Sequence, residues 1–523
     1  MPIRSLIEED SLVPIAFDRS TWFFSRADGN LRYGAPDYRK VSIRHLDRPF
    51  VVPGDRCLFD FSVNGRKLVV ATYALQNGLL VPEPPSVIPL PIPGSWSVST
   101  VVPGQDGDRH VAITASTGAH LVNLRTGSRR TLEVGRRATV HAVLSTGVLV
   151  GDDHSHWISR AEDRRTERHP GRVVGVAGDR YLVAGSGKEV RDFSIIDAAG
   201  SHDLRPPGQW SPVQVGLWGR GFLAACVHPR FGYGLWDGHD IERVKGTAAI
   251  FPAGASAPPF VRVTSVRGGS HWRSAGGAAP GAAAPSADIE TVSSVIDGVP
   301  TIHLRSGRTN TRLLVSLHGG PDSHEWDDLR YGGAYRTILA SGFDILVVNY
   351  PGSRDLGPAL QRSGWNAWGA SAASIADIAS RVTKSRGYQE VRVFGVSFGS
   401  WLGVQAAQLL GAARMIAISP IFQLESHLAS HAAKGEEFAR WAQRRFGDRF
   451  EHAAEGDRVL RAATTPVEAV IPRDDEVVSV AETRAVARRM NWREVIVDGA
   501  HFPATADHAE QRWRSLVAAV TRD

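Results

Sequence analysis

The spacing of apolar residues changes once along this chain, between residues 267 and 288, and that change limits what the polypeptide can fold into. Ahead of it, from Leu12 to Val263, short β-branched or aromatic runs are broken by Gly, Pro, Asn and Asp. Examples are Lys67 to Tyr73 (KLVVATY), His110 to Thr114 (HVAIT), Ala119 to Leu124, Gly147 to Val150 and Arg180 to Ala184, with turn dipeptides such as Asn64-Gly65 and Thr126-Gly127. No helical period lasts beyond a turn or two, which is an all-β signature. Similar phrases recur at roughly 40-residue intervals, the length of a four-stranded propeller blade. The expectation for residues 1–266 is therefore an N-terminal all-β, β-propeller-like domain of unspecified blade number, with a pair of β-sandwiches as the competing arrangement.

Residues 267–288 include GGSHWRSAGGAAPGAAAPSAD, a Gly/Ala/Pro/Ser stretch with little to bury, read as an interdomain linker or mobile loop. Beyond it apolar runs alternate with segments of helical period. The runs are Arg312 to Leu317, Asp344 to Asn349, Val391 to Val396, Met415 to Ile418, Val467 to Ile471 and Glu494 to Val497. The helical segments include Ser374 to Arg386, Ser400 to Leu410, Ala481 to Met490 and Ala509 to Val520. Strands buried on both faces and joined by helices predict a mainly parallel sheet with flanking helices, a C-terminal α/β domain over 289–523.

A chain of 523 residues is long enough for two such cores. Cys57 and Cys226 are its two cysteines, far apart and without metal-type spacing, so neither a disulfide framework nor a zinc site is expected. The net charge of +6 comes from scattered arginines rather than a basic patch with interleaved aromatics, which argues against nucleic acid as a partner. Glu8, Glu9 and Asp10 stand where a signal peptide needs an apolar run, and no segment has the length of a membrane span. The expectation is a soluble, cytoplasmic protein with no membrane partner, while self-association into a homo-oligomer is left open.

Chemistry enters at Gly395-Val396-Ser397-Phe398-Gly399, between the strand VRVF and the apolar helix SWLGVQAAQLL. A serine hydroxyl is a poor nucleophile unless a base takes its proton, and a sharp strand-to-helix turn lifts Oγ clear of the sheet. In a glycine-rich chain this pentapeptide can arise by chance; strand before and helix after give it meaning. Upstream, His318-Gly319-Gly320-Pro321 ends the strand RLLVSL, and its glycines let backbone approach a ligand. The amides of Gly320 and Phe398 are the candidate oxyanion donors. The strand, G-x-S-x-G turn and helix point to an α/β-hydrolase domain, in which the base comes last, so His318 is read as a structural residue. Downstream, Asp474 follows VEAVI, with Asp475 the competing carboxylate, and His501 follows EVIV. The order Ser, Asp, His suits an imidazole that takes the serine proton and a carboxylate that orients it. Whichever aspartate is not used would cap the next helix.

The last 230 or so residues resemble the prolyl oligopeptidase family of serine peptidases, in particular its acylaminoacyl-peptidase and dipeptidyl-peptidase-like members. The resemblance rests on HGGPDSH at 318–324, NYPGS at 349–353, WNAWG at 365–369, GVSFGS at 395–400, SPI at 419–421, DDEVV at 474–478 and GAHF at 499–502. It implies hydrolysis of short peptides through an acyl-enzyme, behind a propeller that restricts access, with neither metal nor organic cofactor. It also implies Asp474 as the triad acid and Tyr350 as a substrate-side residue. Three departures stand out: Phe398 and Ser400 where the family has Tyr and Gly, RDLG after NYPGS, and Glu476 where members often carry an arginine that holds a substrate carbonyl. A carboxylate cannot donate to that carbonyl, so Glu476 points to another anchor or to a cationic substrate portion.

Other features take plainer readings. Asp152, Asp153, His154 and His156 read as a polar loop rather than a metal site. His427 and His431, four residues apart without an HExxH glutamate, read as one face of a lid helix within helices predicted over 421–463. Gly185-Ser186-Gly187-Lys188 lacks the first glycine and final Ser/Thr of a phosphate loop. Two rivals to a peptidase remain: an esterase, thioesterase or acyltransferase with the same triad, and a non-catalytic propeller binding protein.

Overall fold

The structure, a computed structural model, describes all residues except 1–2, 11, 18–19, 26–30, 34–38, 42–49, 52–56, 65–66, 77–78, 83, 91–95, 104–108, 116–117, 133–137, 153, 160–166, 186–191, 252–257, 275–276, 279–287 and 523. Among the described residues the first half forms seven antiparallel sheets in chain order. Residues 12–41 give four strands, 50–89 five, and 96–132, 139–170, 172–203, 211–243 and 247–278 four each. Strand Thr139–Leu144 alternates buried and open side chains and turns through Ser145 and Thr146 into Gly147–Gly151, pairing Leu144 with Gly147. A period of two with a two-residue turn is the local reason these runs become hairpins. The first strand of each sheet packs beside the first strand of the next. Apolar side chains from successive sheets, such as Leu121, Val140, Trp157 and Val173, share one core.

Two expected boundaries are corrected. Gly269–Ser274, placed in the linker, is a strand of the last sheet, pairing Val263 with His271 and Arg262 with Trp272. Composition misread it, because one buried Trp272 on a paired strand outweighs its glycine and serine neighbours. Most of the proline- and alanine-rich remainder, 275–276 and 279–287, lies outside the described residues, as do Asp153 and 186–191 with most of the GSGK phrase. Residues 3–10, assigned to the first half, form helix α1 (Ile3–Asp10) and pack on α10 (Ala506–Thr521) of the second. Leu6 meets Leu329, and Arg4 pairs with Asp507.

The second half holds an eight-stranded sheet in the order Ile289–Ile296, Val299–Ser306, Phe343–Val348, Arg312–Leu317, Glu390–Val396, Arg414–Ile418, Val467–Pro472 and Arg493–Val497. The first two strands are antiparallel and the rest run parallel. Phe343–Val348 and Val467–Pro472 are buried at every position, as strands covered on both faces must be. The opening hairpin escapes the sequence reading because its outer strand is a half-exposed edge. One face of the sheet carries α4 (Trp368–Arg386), α5 (Phe398–Leu410) and α9 (Val480–Arg489). The other carries α2 (Ala334–Ala340) and α10, and its core runs on into Val227, Tyr233 and Val261 of the last two antiparallel sheets. Helices α6 (Leu424–Ala432), α7 (Glu436–Phe446) and α8 (Glu451–Arg461) fill the span where lid helices were expected. Among the described residues no helix is long and apolar enough to cross a membrane.

Candidate active site

Parallel strands deliver their following residues to one edge of the sheet, and the candidate residues leave from neighbouring strands there. Ser397 sits between Glu390–Val396 and α5 at φ 53°, ψ −118°, a left-handed conformation that a non-glycine residue adopts only when its surroundings impose it. The surroundings are tight: a Cβ on Gly395 would overlap the carbonyl oxygen of Gly399, and one on Gly399 would overlap the carbonyls of Leu317 and His318. Ser397 N–H donates to Ile418 O at 2.9 Å. Ser400, where the resemblance leads one to expect glycine, is accommodated by donating its hydroxyl to Gly395 O at 2.8 Å. Phe398 is buried among Trp368, Trp401 and Phe446.

The His318–Pro321 loop lies against this turn, with the Cβ position of Gly319 3.4 Å from Ser397 Cβ. His318 is fully buried and holds the loop. Its Nδ1 is 2.7 Å from Gly319 O and its Nε2 2.8 Å from Ser353 Oγ, which fits Nδ1–H donating to the carbonyl and Nε2 accepting from the hydroxyl. Burial holds this ring down at about 3, so it stays neutral and structural. Tyr350, expected on the substrate side, is fully buried. It stacks on His318 at 4.4 Å and donates to His318 O at 2.9 Å, so it braces the loop instead. Asp322 anchors the loop's far end, accepting from Arg445 at 2.9 Å and Trp441 Nε1 at 2.7 Å of α7.

His501 Nδ1 lies 2.8 Å from Asp475 Oδ2, with side-chain exposures of 5% and 1%. The expected partner Asp474 is exposed, and among the described residues it engages through its backbone N–H, which donates to Gly499 O at 3.1 Å. The loop after Val467–Pro472 turns so that the second carboxylate, not the first, enters the sheet edge. Asp475 also accepts from the amides of Val477 and Val478 at 3.0 and 2.8 Å through its other oxygen. Glu476 accepts from the His501 backbone N–H at 3.2 Å. Counted from Asp475, the second following residue is Val477, so Glu476 does not occupy the place of the carbonyl-holding arginine. Among the described residues no hydrogen bond joins Ser397 Oγ to His501; in ligand-free sites this contact is often long and tightens with substrate.

The geometry adds two residues to which the sequence reading gave no role. Buried Arg512 of α10 donates to His501 O at 2.5 Å and to Ala500 O, placing a cation behind the Asp475–Glu476 turn. Burial lowers this guanidinium to about 10, with the charges of Asp475 and Glu476 acting the other way. Phe502 is 71% exposed with its ring edge-on to His501 at 5.0 Å. Its place directly after the histidine was the only signal in the sequence.

No family model matches the chain, and no curated protein matches it in sequence. Solved structures do. Pyrococcus horikoshii acylaminoacyl peptidase superposes with a TM-score of 0.74 at 11% identity, over 98% of this chain and 96% of its own. A Mycobacterium tuberculosis puromycin-hydrolyzing peptidase gives 0.65 at 14%, over 99% and 95%, and prolyl oligopeptidase B from Galerina marginata gives 0.64 at 11%, over 99% and 91%. The chain has the prolyl oligopeptidase fold.

That prolyl oligopeptidase fold spans both halves, including the antiparallel sheets whose repeats do not align with one another. In it, Val266 N–H donates to Asp327 at 2.8 Å and Tyr233 OH lies 2.8 Å from His324 Nε2, joining the first half to the loop that follows the candidate oxyanion residues. His154 meets Glu437 of α7 at 3.0 Å, and Asp152 accepts from the amides of His154 and Ser155, while His156, read with them as a polar loop, lies buried in the strand Ser155–Ser159.

Proposed function

We propose that this protein is a serine peptidase that cleaves short peptides through an acyl-enzyme, with Ser397, His501 and Asp475 as its triad. The observation that carries the reading is the buried 2.8 Å Asp475–His501 pair on the same sheet edge as a serine held at positive φ between strand and helix. Oγ of Ser397 attacks the scissile carbonyl carbon as His501 Nε2 takes its proton. Asp475 accepts the Nδ1–H bond and stabilises the imidazolium, and His501 returns the proton to the departing amine. A water activated by the same ring then hydrolyses the ester. The amides of Gly320 and Phe398 would hold the oxyanion; removing one donor from such a pair costs about a hundredfold or more in turnover.

The seven antiparallel sheets are read as a propeller that admits flexible peptides and turns away folded proteins. The prolyl oligopeptidase fold and the sequence resemblance favour an amide substrate over an ester. A fluorophosphonate probe should label the wild type and not Ser397→Ala, and a peptide-library digest read by mass spectrometry should show cleavage of short peptides. Absence of labelling in folded protein, or efficient digestion of folded substrates, would contradict the two parts of this reading in turn.

A further inference from the structure

A cavity of about 210 Å³ borders the Asp475 loop, walled by α6 on one side and by 475–483 on the other. Its surface has two characters. Phe422, Val477 and Val478 offer apolar area, while Glu476, Glu482 and the imidazole of His427 offer acceptors. Burial, reinforced by neighbouring His431 and His501, pushes the His427 ring down to about 4. His431 Nδ1 lies 3.0 Å from His427 O and donates to it, which fixes this ring against the wall of α6.

The carboxylates are only half used. Glu476 spends one oxygen on the His501 amide and Glu482 one on the Ser426 hydroxyl at 3.1 Å; no hydrogen bond engages the other oxygen of either among the described residues. Asp475 is committed to His501, and Arg512 compensates that turn from behind. Among the described lining residues the one cation is Lys434, exposed just beyond the end of α6, against the two carboxylates Glu476 and Glu482. The space therefore has an excess of negative charge and acceptors beside an apolar lining. It suits a side chain with an aliphatic stem and a cationic, donor-rich head.

We propose that this cavity receives a substrate side chain flanking the scissile bond and selects lysine or arginine, with Glu482 and Glu476 as the residues that determine specificity. The inference rests on the peptidase reading and names its substrate class. The test is a peptide-library digest by the full chain, with fluorophosphonate labelling of Ser397 run alongside. Lysine or arginine should be enriched at one residue beside the cut. Glu482→Gln, labelled by the probe as the wild type is, should lower kcat/KM for a lysyl peptide about tenfold more than for its norleucyl counterpart, the loss expected of one charge-assisted hydrogen bond. Glu482→Asp should recover part of that preference. Labelling without basic enrichment, enrichment of acidic residues, or an unchanged lysine-to-norleucine ratio in Glu482→Gln overturns the cavity's assignment and leaves the peptidase reading standing. Failure of the wild type to label or cleave overturns both.

Discussion

Asp474 and Asp475 are chemically identical neighbours, and only their surroundings separate them. Asp475 is buried and accepts from two backbone amides and from His501, whereas Asp474 faces solvent. Asp475→Asn should lower kcat on a cleaved peptide by about 10⁴-fold, the scale of loss when an orienting carboxylate becomes an amide. Asp474→Asn should stay within about twofold, and steady-state kinetics of the two variants check the assignment. His318 supplies a pH prediction. Its folded-state value of about 3 lies below the 6.5 of a free ring, so between the two the unfolded chain binds a proton that the folded chain does not. Its contribution to stability is present above pH 6.5 and is lost as pH falls toward 3. Urea midpoints of His318→Gln between pH 7 and 4 should therefore fall less steeply than those of the wild type.

At the scale of elements, the strand-to-helix turn around Ser397 was legible because only glycine fits where backbone meets backbone at 395 and 399. The tie between the oxyanion loop and α7 was not, since Asp322 and Arg445 are 123 residues apart and nothing local pairs them. Arg445 is fully buried, packs over Trp365 and Trp441, and meets Asp322 at 2.9 Å. Asp322→Ala removes the carboxylate opposite that buried cation and should destabilise the protein by about 3–5 kcal/mol, whereas the double change Asp322→Leu with Arg445→Met should cost much less. Urea unfolding of single and double variants measures the difference; equal losses would mean that packing rather than charge dominates.

Across the whole molecule the two halves meet at Asp327. One oxygen accepts from Val266 N–H at 2.8 Å, at the end of the last antiparallel sheet's second strand, and the other from Thr291 Oγ at 3.1 Å, on the first strand of the mixed sheet. Arg336 donates to Val266 O at 2.6 Å beside it. Burial raises this carboxyl to about 6, above its ordinary 3.8, so the folded state holds the proton more tightly and this group's contribution to stability declines as pH rises from about 4 to about 6. The sign is opposite to that of His318. Asp327→Asn keeps an acceptor and removes the charge, so its stability relative to wild type should rise across that window by on the order of 1–3 kcal/mol. Thermal or urea midpoints at pH 4, 5, 6 and 7 would show it; parallel curves would place the pH dependence elsewhere.

Hydrophobic period, turn chemistry and the order of motifs are local properties, and by themselves they determined the β character of the first half, the parallel strands and most helices of the second, and Ser397 and His501 at the sheet edge. The tertiary structure decided which aspartate meets His501, that Tyr350 braces a loop, that Gly269–Ser274 completes a sheet and that the N-terminal helix returns to α10. Each depends on where the backbone turns or on a partner distant in sequence. A one-residue shift around a tight loop reverses burial without altering composition, and neither propensity nor spacing records which of two adjacent carboxylates is carried inward.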